Sequence, residues 1–170
     1  MDKYLAPQPI NSQHILESFD CGEESMNAWL KNKALNNEIN NNSRTSVVCV
    51  ENKVIAYYSL CTGCVYHENL SRKFKHRSPD RIPSLVLGRL AIDIEYQGQG
   101  LSKDLIKEIY IKTFKLSRIV AMKVLVVNAL NLEIVGFYQK LGFTPSKTDP
   151  LLLLKSVEQI QAECEAAGIA

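Results

Sequence analysis

The pattern of apolar residues predicts an α/β fold, a mixed sheet sandwiched by helices. Three observations carry that prediction. Short runs rich in β-branched and aromatic residues recur at 45–50, 54–60, 84–92, 121–128 and 151–155. Stretches with apolar residues three and four apart interleave with them at 23–35, 101–116 and 131–141. The run at 121–128 is almost wholly apolar, as a strand covered on both faces should be.

Each element has a local reason. Met26, Trp29, Leu30 and Ala34 share one face of the first helix, and an asparagine cluster (Asn36, Asn37, Asn40, Asn41, Asn42) closes it with a turn. Glu51-Asn52-Lys53 joins the next two runs into a hairpin. The polar stretch 67–83, with two prolines and many cations, reads as a helix fragment plus loop. A strand at 84–92 runs into a tight glycine loop at 95–100. The helix at 101–116 sets Leu101, Leu105 and Ile109 on one face and Lys103, Lys107, Lys112 and Lys115 on the other. The helix at 131–141 ends at Gly142, a suitable C-cap. The reading is one domain over residues 1–157, followed by an acidic tail, 158–170.

A length of 170 residues, 46% apolar and 22% charged, excludes disordered, collagenous and disulfide-scaffold classes. No run approaches the ~20 apolar residues of a membrane span. The first residues lack the apolar stretch of a secretory signal, so the expected compartment is the cytoplasm, with no membrane partner. The five cysteines are read as free thiols, with Cys61 and Cys64 as small buried residues of a continuing strand rather than a metal or redox pair. No metal site is expected. The net charge of +2 hides an uneven distribution. Residues 52–123 hold thirteen basic and six acidic side chains, whereas both ends are acidic. A basic middle suits an anionic ligand or a nucleic acid, or is ordinary solvated surface.

The segment Leu90-Ala91-Ile92-Asp93-Ile94-Glu95-Tyr96-Gln97-Gly98-Gln99-Gly100-Leu101-Ser102 is the most informative. A strand enters a two-glycine turn that opens a helix. Glycines let the backbone approach a ligand, and N–H groups at a helix start favour an anion. Neither a Walker loop nor a dinucleotide fingerprint is present, since no Gly-Lys-Ser/Thr and no third glycine follow. Taken alone, the turn is either a pyrophosphate cradle or a plain strand-to-helix connection.

With its surroundings, the chain resembles the GNAT acetyltransferase superfamily. Glu95-Tyr96-Gln97-Gly98-Gln99-Gly100 matches that family's acyl-coenzyme A loop, with Glu95 where a basic or amide residue is usual. Phe137-Tyr138-Gln139-Lys140-Leu141-Gly142-Phe143 matches its later aromatic segment. Phe19-Asp20-Cys21-Gly22, Trp29-Leu30, Ala56-Tyr57-Tyr58-Ser59-Leu60 and Leu87-Gly88-Arg89-Leu90 resemble one branch, the aminoacyl-tRNA-acetylating toxins of bacterial type II toxin–antitoxin modules.

The resemblance implies a mixed, largely antiparallel sheet flanked by helices on both faces. It implies an acetyl-CoA-dependent N-acetyltransferase acting on the α-amino group of aminoacyl-tRNA, and thereby blocking translation. A homodimer and a ribbon-helix-helix antitoxin are implied as partners. Leu90, Ala91 and Ile92 would pair with the pantetheine arm, helped by Asn128, for which a strand-end cap is the competing reading, while Gln97, Gly98, Gln99, Gly100, Leu101 and Ser102 cradle the pyrophosphate. Tyr138 is the expected proton donor to the coenzyme thiolate, because a phenol with a reference pKa near 10 is protonated at neutral pH. Arg72, Lys73, Lys75, Arg77, Arg81 and Arg89 are expected to hold tRNA; for Arg89 an ion pair with Asp93 or another acid is the competing reading. His14, His67 and His76 lie outside every motif and are read as surface residues. Competing functions are acetylation of a small-molecule or protein amine, and non-catalytic binding on the same fold.

Overall fold

The computed structural model describes residues 4–169. It contains seven strands and, among the described residues, six α-helices. Their order is β1 (Gln8–Pro9), α1 (Glu24–Asn32), α2 (Ala34–Ile39), β2 (Arg44–Val50), β3 (Lys53–Tyr66), α3 (Arg72–Lys75), β4 (Arg81–Ile92), α4 (Leu101–Ser117), β5 (Val124–Asn128), α5 (Leu132–Lys140), β6 (Thr144–Pro145), β7 (Leu152–Ser156) and α6 (Val157–Ala166). The strand order is β1-β2-β3-β4-β5-β7-β6. β4 and β5 pair in parallel; β1–β2, β2–β3, β5–β7 and β6–β7 pair antiparallel. The sheet is mixed and largely antiparallel, as expected. No helix among the described residues is long and apolar enough to cross a membrane.

The chain forms two compact units. The first comprises the residues up to Cys61 together with Gly88–Lys107. Its core joins Ile10, Phe19, Met26, Leu30, Val47 and Tyr57. Burying an apolar side chain such as Leu30 contributes about 1.5–3 kcal/mol, so this cluster anchors the amphipathic α1. The single helix expected over 23–35 is two. At Lys33 the backbone leaves helical geometry (φ −125°), and the N–H and side-chain amide of Asn37 both donate to the Lys33 carbonyl. The hairpin turn is tight, and Glu51 takes a left-handed φ of 54°.

The second unit comprises Thr62–Leu87 and the chain from Glu108 on. Its core joins Val65, Leu70, Phe74, Ile82, Val124, Val126 and Leu154. The β5–β7 ladder runs from Val124 opposite Ser156 to Asn128 opposite Leu152. Residues 158–166 of the stretch read as an acidic tail lie in α6, which buries Ile160 and Cys164 on one face. β4 starts at Arg81 rather than at residue 84; Pro83, which has no N–H, sits exposed within it and accepts from the Lys123 N–H. The five cysteines are free. Cys64 is exposed and Cys61 half-buried, not buried as expected, because β3 loses its cover beyond Leu60.

Candidate active site

In the first unit, β4 ends at Ile92, and Asp93 organises the turn that leads to the glycines. Its carboxylate accepts from the Asp20 N–H (3.0 Å) and the Glu95 N–H (3.0 Å). Ile94 N–H donates to the Asp20 carbonyl. Asp20 in turn accepts from the Gly22 N–H (2.9 Å) and the Asn27 amide (2.8 Å), and these bonds hold its carboxyl below the usual range. The segment at Phe19–Gly22 is thus tied to the strand end by side chains that local pattern did not single out; the signal available was an aspartate directly after a strand and before a turn. Gln97 completes the tie, its amide donating to the Ile92 (2.8 Å) and Cys21 (3.0 Å) carbonyls. The Glu95 side chain is exposed.

Beyond that brace the backbone is uncommitted. Gly98 (φ 73°) and Gly100 (φ 90°) take conformations that residues with a Cβ rarely adopt. A Cβ placed on either would meet nothing within 4 Å. The N–H groups of Gly98, Gln99, Gly100, Leu101 and Ser102 donate to no protein acceptor among the described residues; the first committed N–H is that of Lys103, bonded to the Gly100 carbonyl. Successive unpaired N–H groups at the start of a 17-residue helix form an anion cradle. This arrangement fits a pyrophosphate: donors, open space, and the exposed cations Lys103 and Lys107. Leu90 and Ile92 are half-buried and Ala91 is buried on the same strand.

Arg89 lies in this unit too. Its guanidinium stacks 4.8 Å from the Trp29 ring, which itself stacks on Tyr57 at 5.9 Å. The Asp93 oxygens accept backbone N–H groups, and no ion pair of Arg89 with Asp93 or another acid is formed among the described residues.

In the second unit, Tyr138 sits on α5, whose N-terminus is capped by the Asn131 side chain. Tyr138 is only 5% exposed, and burial raises its phenol pKa well above the ordinary 10. Its ring meets Phe137 and Phe143 edge-on. Two other tyrosines, the buried Tyr57 and the half-buried Tyr110, commit their hydroxyls: Tyr57 donates to the Met26 carbonyl (2.8 Å) and Tyr110 to the Leu141 carbonyl (3.1 Å). The Tyr138 hydroxyl makes no hydrogen bond among the described residues, and burial alone shifts it. Asn128 is exposed at the C-terminal end of β5.

The cations expected to meet nucleic acid are also in the second unit. Arg72, Lys73 and Arg77 are exposed around α3, Lys75 is half-buried, and Arg81 is exposed at the start of β4. Lys73, Arg77 and Lys123 line a groove of about 630 Å³, with Glu158 the acid among its lining residues. No cluster of three or more His, Cys, Asp or Glu suited to a metal occurs among the described residues.

A strand leading into a glycine turn with unpaired N–H groups can hold the phosphates of an anionic ligand, and a buried phenol that stays protonated can supply a proton. The chain belongs to the acetyltransferase (GNAT) domain family, whose pattern it matches over residues 17–151. It is 32% identical over 162 residues to the tRNA-acetylating toxin of Mycobacterium tuberculosis (strain ATCC 25618 / H37Rv), covering 95% of this chain and 98% of that one. Among solved structures it is similar to AtaT complexed with acetyl-methionyl-tRNAfMet (31% identity, TM-score 0.86, covering 93% of this chain and 98% of that one). It is also similar to a tyrosine-to-phenylalanine mutant of the AtaT toxin bound to acetyl-CoA and the C-terminus of the antitoxin AtaR (30% identity, TM-score 0.82, covering 95% and 98%).

Proposed function

We propose that this chain transfers the acetyl group of acetyl-CoA to the α-amino group of aminoacyl-tRNA, blocking translation as a toxin in the cytoplasm. The observation that carries the coenzyme half is the run of unpaired N–H groups from Gly98 to Ser102, facing open space. The relatives named as acetylating tRNA, or solved with acetylated tRNA, support the acceptor.

The residues divide the work. Gln97 braces the cradle, and Gly98, Gln99, Gly100, Leu101 and Ser102 bind the pyrophosphate. The backbone of Leu90, Ala91 and Ile92 aligns the pantetheine arm, with Asn128 offering its amide to the same arm. The neutral amine attacks the thioester carbonyl; a C–N bond forms, the C–S bond breaks, and the amine proton leaves to solvent. Tyr138 gives its proton to the departing thiolate and regains one from solvent. Burial suits that task, because a raised pKa keeps the phenol protonated until the thiolate develops. The α-amino group of an aminoacyl ester has a lowered pKa, so no dedicated base is required. Arg72, Lys73, Lys75, Arg77 and Arg81 bind the tRNA phosphates and Arg89 the acceptor end. The catalytic domain takes in residues 1–157; the protein works as a homodimer and is neutralised by an antitoxin of ribbon-helix-helix type.

The test is acetyl transfer to charged tRNA and to a small amine, each at low and raised salt. Acetylation of tRNA should fall roughly 50- to 150-fold between 50 and 200 mM salt if about four phosphate contacts are made. Transfer only to the small amine, indifferent to salt, would reject tRNA as the acceptor.

A further inference from the structure

Lys155 has no place in the acetyl-transfer chemistry, yet it is among the most buried charged groups of the chain. Its side chain is 1% exposed on β7, at the end of a run of four leucines. An ammonium in such a place is tolerated only when its donors are satisfied. Here all three are: Nζ donates to the Leu141 carbonyl (2.7 Å), the Glu163 carboxylate (2.8 Å) and the Tyr110 hydroxyl (3.1 Å). The Tyr110 hydroxyl donates to the same Leu141 carbonyl, and its ring lies 4.3 Å from Nζ.

Leu141 is the C-cap of α5, three residues beyond Tyr138. The N–H groups of Leu141 (3.0 Å) and Phe143 (3.1 Å) both return to the Tyr138 carbonyl. Gly142 turns the chain at φ 87°, and a Cβ there would approach the Lys155 Nζ to 3.3 Å. Phe143 then packs on the rings of both Tyr138 and Tyr110. One cation therefore holds the carbonyl at which the tyrosine's helix ends, where the helix dipole also favours positive charge.

We propose that Lys155 is a positioning residue for Tyr138: its ammonium, set by Tyr110 and Glu163, clamps the C-terminal turn of α5 and so fixes where the Tyr138 hydroxyl stands. This rests on Tyr138 being the proton donor. Small displacements of a reacting group lower turnover steeply, so Lys155→Met should cut kcat by roughly 10- to 100-fold. The affinity for acetyl-CoA should change by less than about twofold.

The deciding experiment is a double-mutant cycle, with acetyl transfer to bulk charged tRNA and acetyl-CoA binding as readouts. In a Tyr138→Phe background, Lys155→Met should lower kcat by no more than about twofold, since the group it positions is gone. Losses that multiply instead would make Lys155 a general structural residue and overturn the inference while leaving Tyr138 in its role. An unchanged kcat for Tyr138→Phe alone would remove the donor itself, and this inference with it. Should Lys155→Met not fold, Tyr110→Phe decides in its place, since it keeps the ring and removes one bond to Leu141 and one to Lys155. It should lower kcat by about 3- to 10-fold in the native background and by less than about twofold with Tyr138→Phe. No loss in the native background, or equal losses in both, overturns the inference.

Discussion

Two glycine turns, one in each compact unit, are made of the same backbone geometry and finished in opposite ways. At Gly98–Gly100 the left-handed residues face open space, and five successive N–H groups have no protein partner among the described residues. At Gly142 the left-handed residue faces Lys155 and Gln159, and the neighbouring N–H groups close on the carbonyls of Tyr138 and Gln139. The first turn leaves hydrogen-bonding capacity for a ligand to satisfy. The second uses its capacity to hold one side chain still. A glycine motif alone does not separate these roles; what lies in front of the glycine does.

The largest effect should come from removing the group the closed turn holds. Tyr138→Phe keeps the ring and should lower turnover by about 10²- to 10⁴-fold, the usual worth of a positioned acid, with acetyl-CoA binding unchanged by calorimetry. Next come the glycines themselves. Gly100→Val should raise the Kd for acetyl-CoA by roughly tenfold or more, because a β-branched side chain at φ 90° distorts the cradle, and the same strain should cost the fold about 1–2 kcal/mol. Gly142→Ala should destabilise the fold by a similar amount, about 1–2 kcal/mol in urea titration, but leave the coenzyme Kd unaltered. Swapped outcomes would erase the distinction between an open and a closed turn.

A smaller effect concerns pH. Burial raises the phenol pKa of Tyr57, Tyr110 and Tyr138 in the folded state. A raised folded pKa means the stabilising contribution is complete below the unfolded value near 10 and is lost as pH rises beyond it. The melting temperature should therefore hold to about pH 9 and then fall, and Tyr138→Phe should soften that fall. A flat profile through this range would show that the phenols are not buried in solution as described.

The open turn was legible from sequence, as was the glycine that ends α5, but the clamp on the closed turn was not, for a physical reason. Strand, glycines and helix start are contiguous from Leu90 to Ser102, so local pattern contains the whole device. Its brace is not local: Asp93 reaches Asp20 and Gln97 reaches Cys21 across more than seventy residues. The clamp on the closed turn draws on Tyr110, Leu141, Lys155 and Glu163, of which only a lysine after four leucines is visible as an anomaly. The two-residue strands β1 and β6 were missed because they carry no apolar period, and the break at Lys33 because a single non-helical φ leaves the apolar face of α1 and α2 continuous. Arg89 shows the same limit. Its competing reading was an ion pair with Asp93 or another acid, whereas the fold stacks it on Trp29.

The most direct measurement of the central claim follows the acetyl group. Charged tRNA is incubated with the protein and acetyl-CoA, and the aminoacyl-adenosine released by ribonuclease is weighed by mass spectrometry. The account predicts one added acetyl group on the amino acid of charged tRNA, none on uncharged tRNA, and a strongly reduced yield with Tyr138→Phe. Aminoacyl-adenosine of unchanged mass across the full set of charged tRNAs would contradict it.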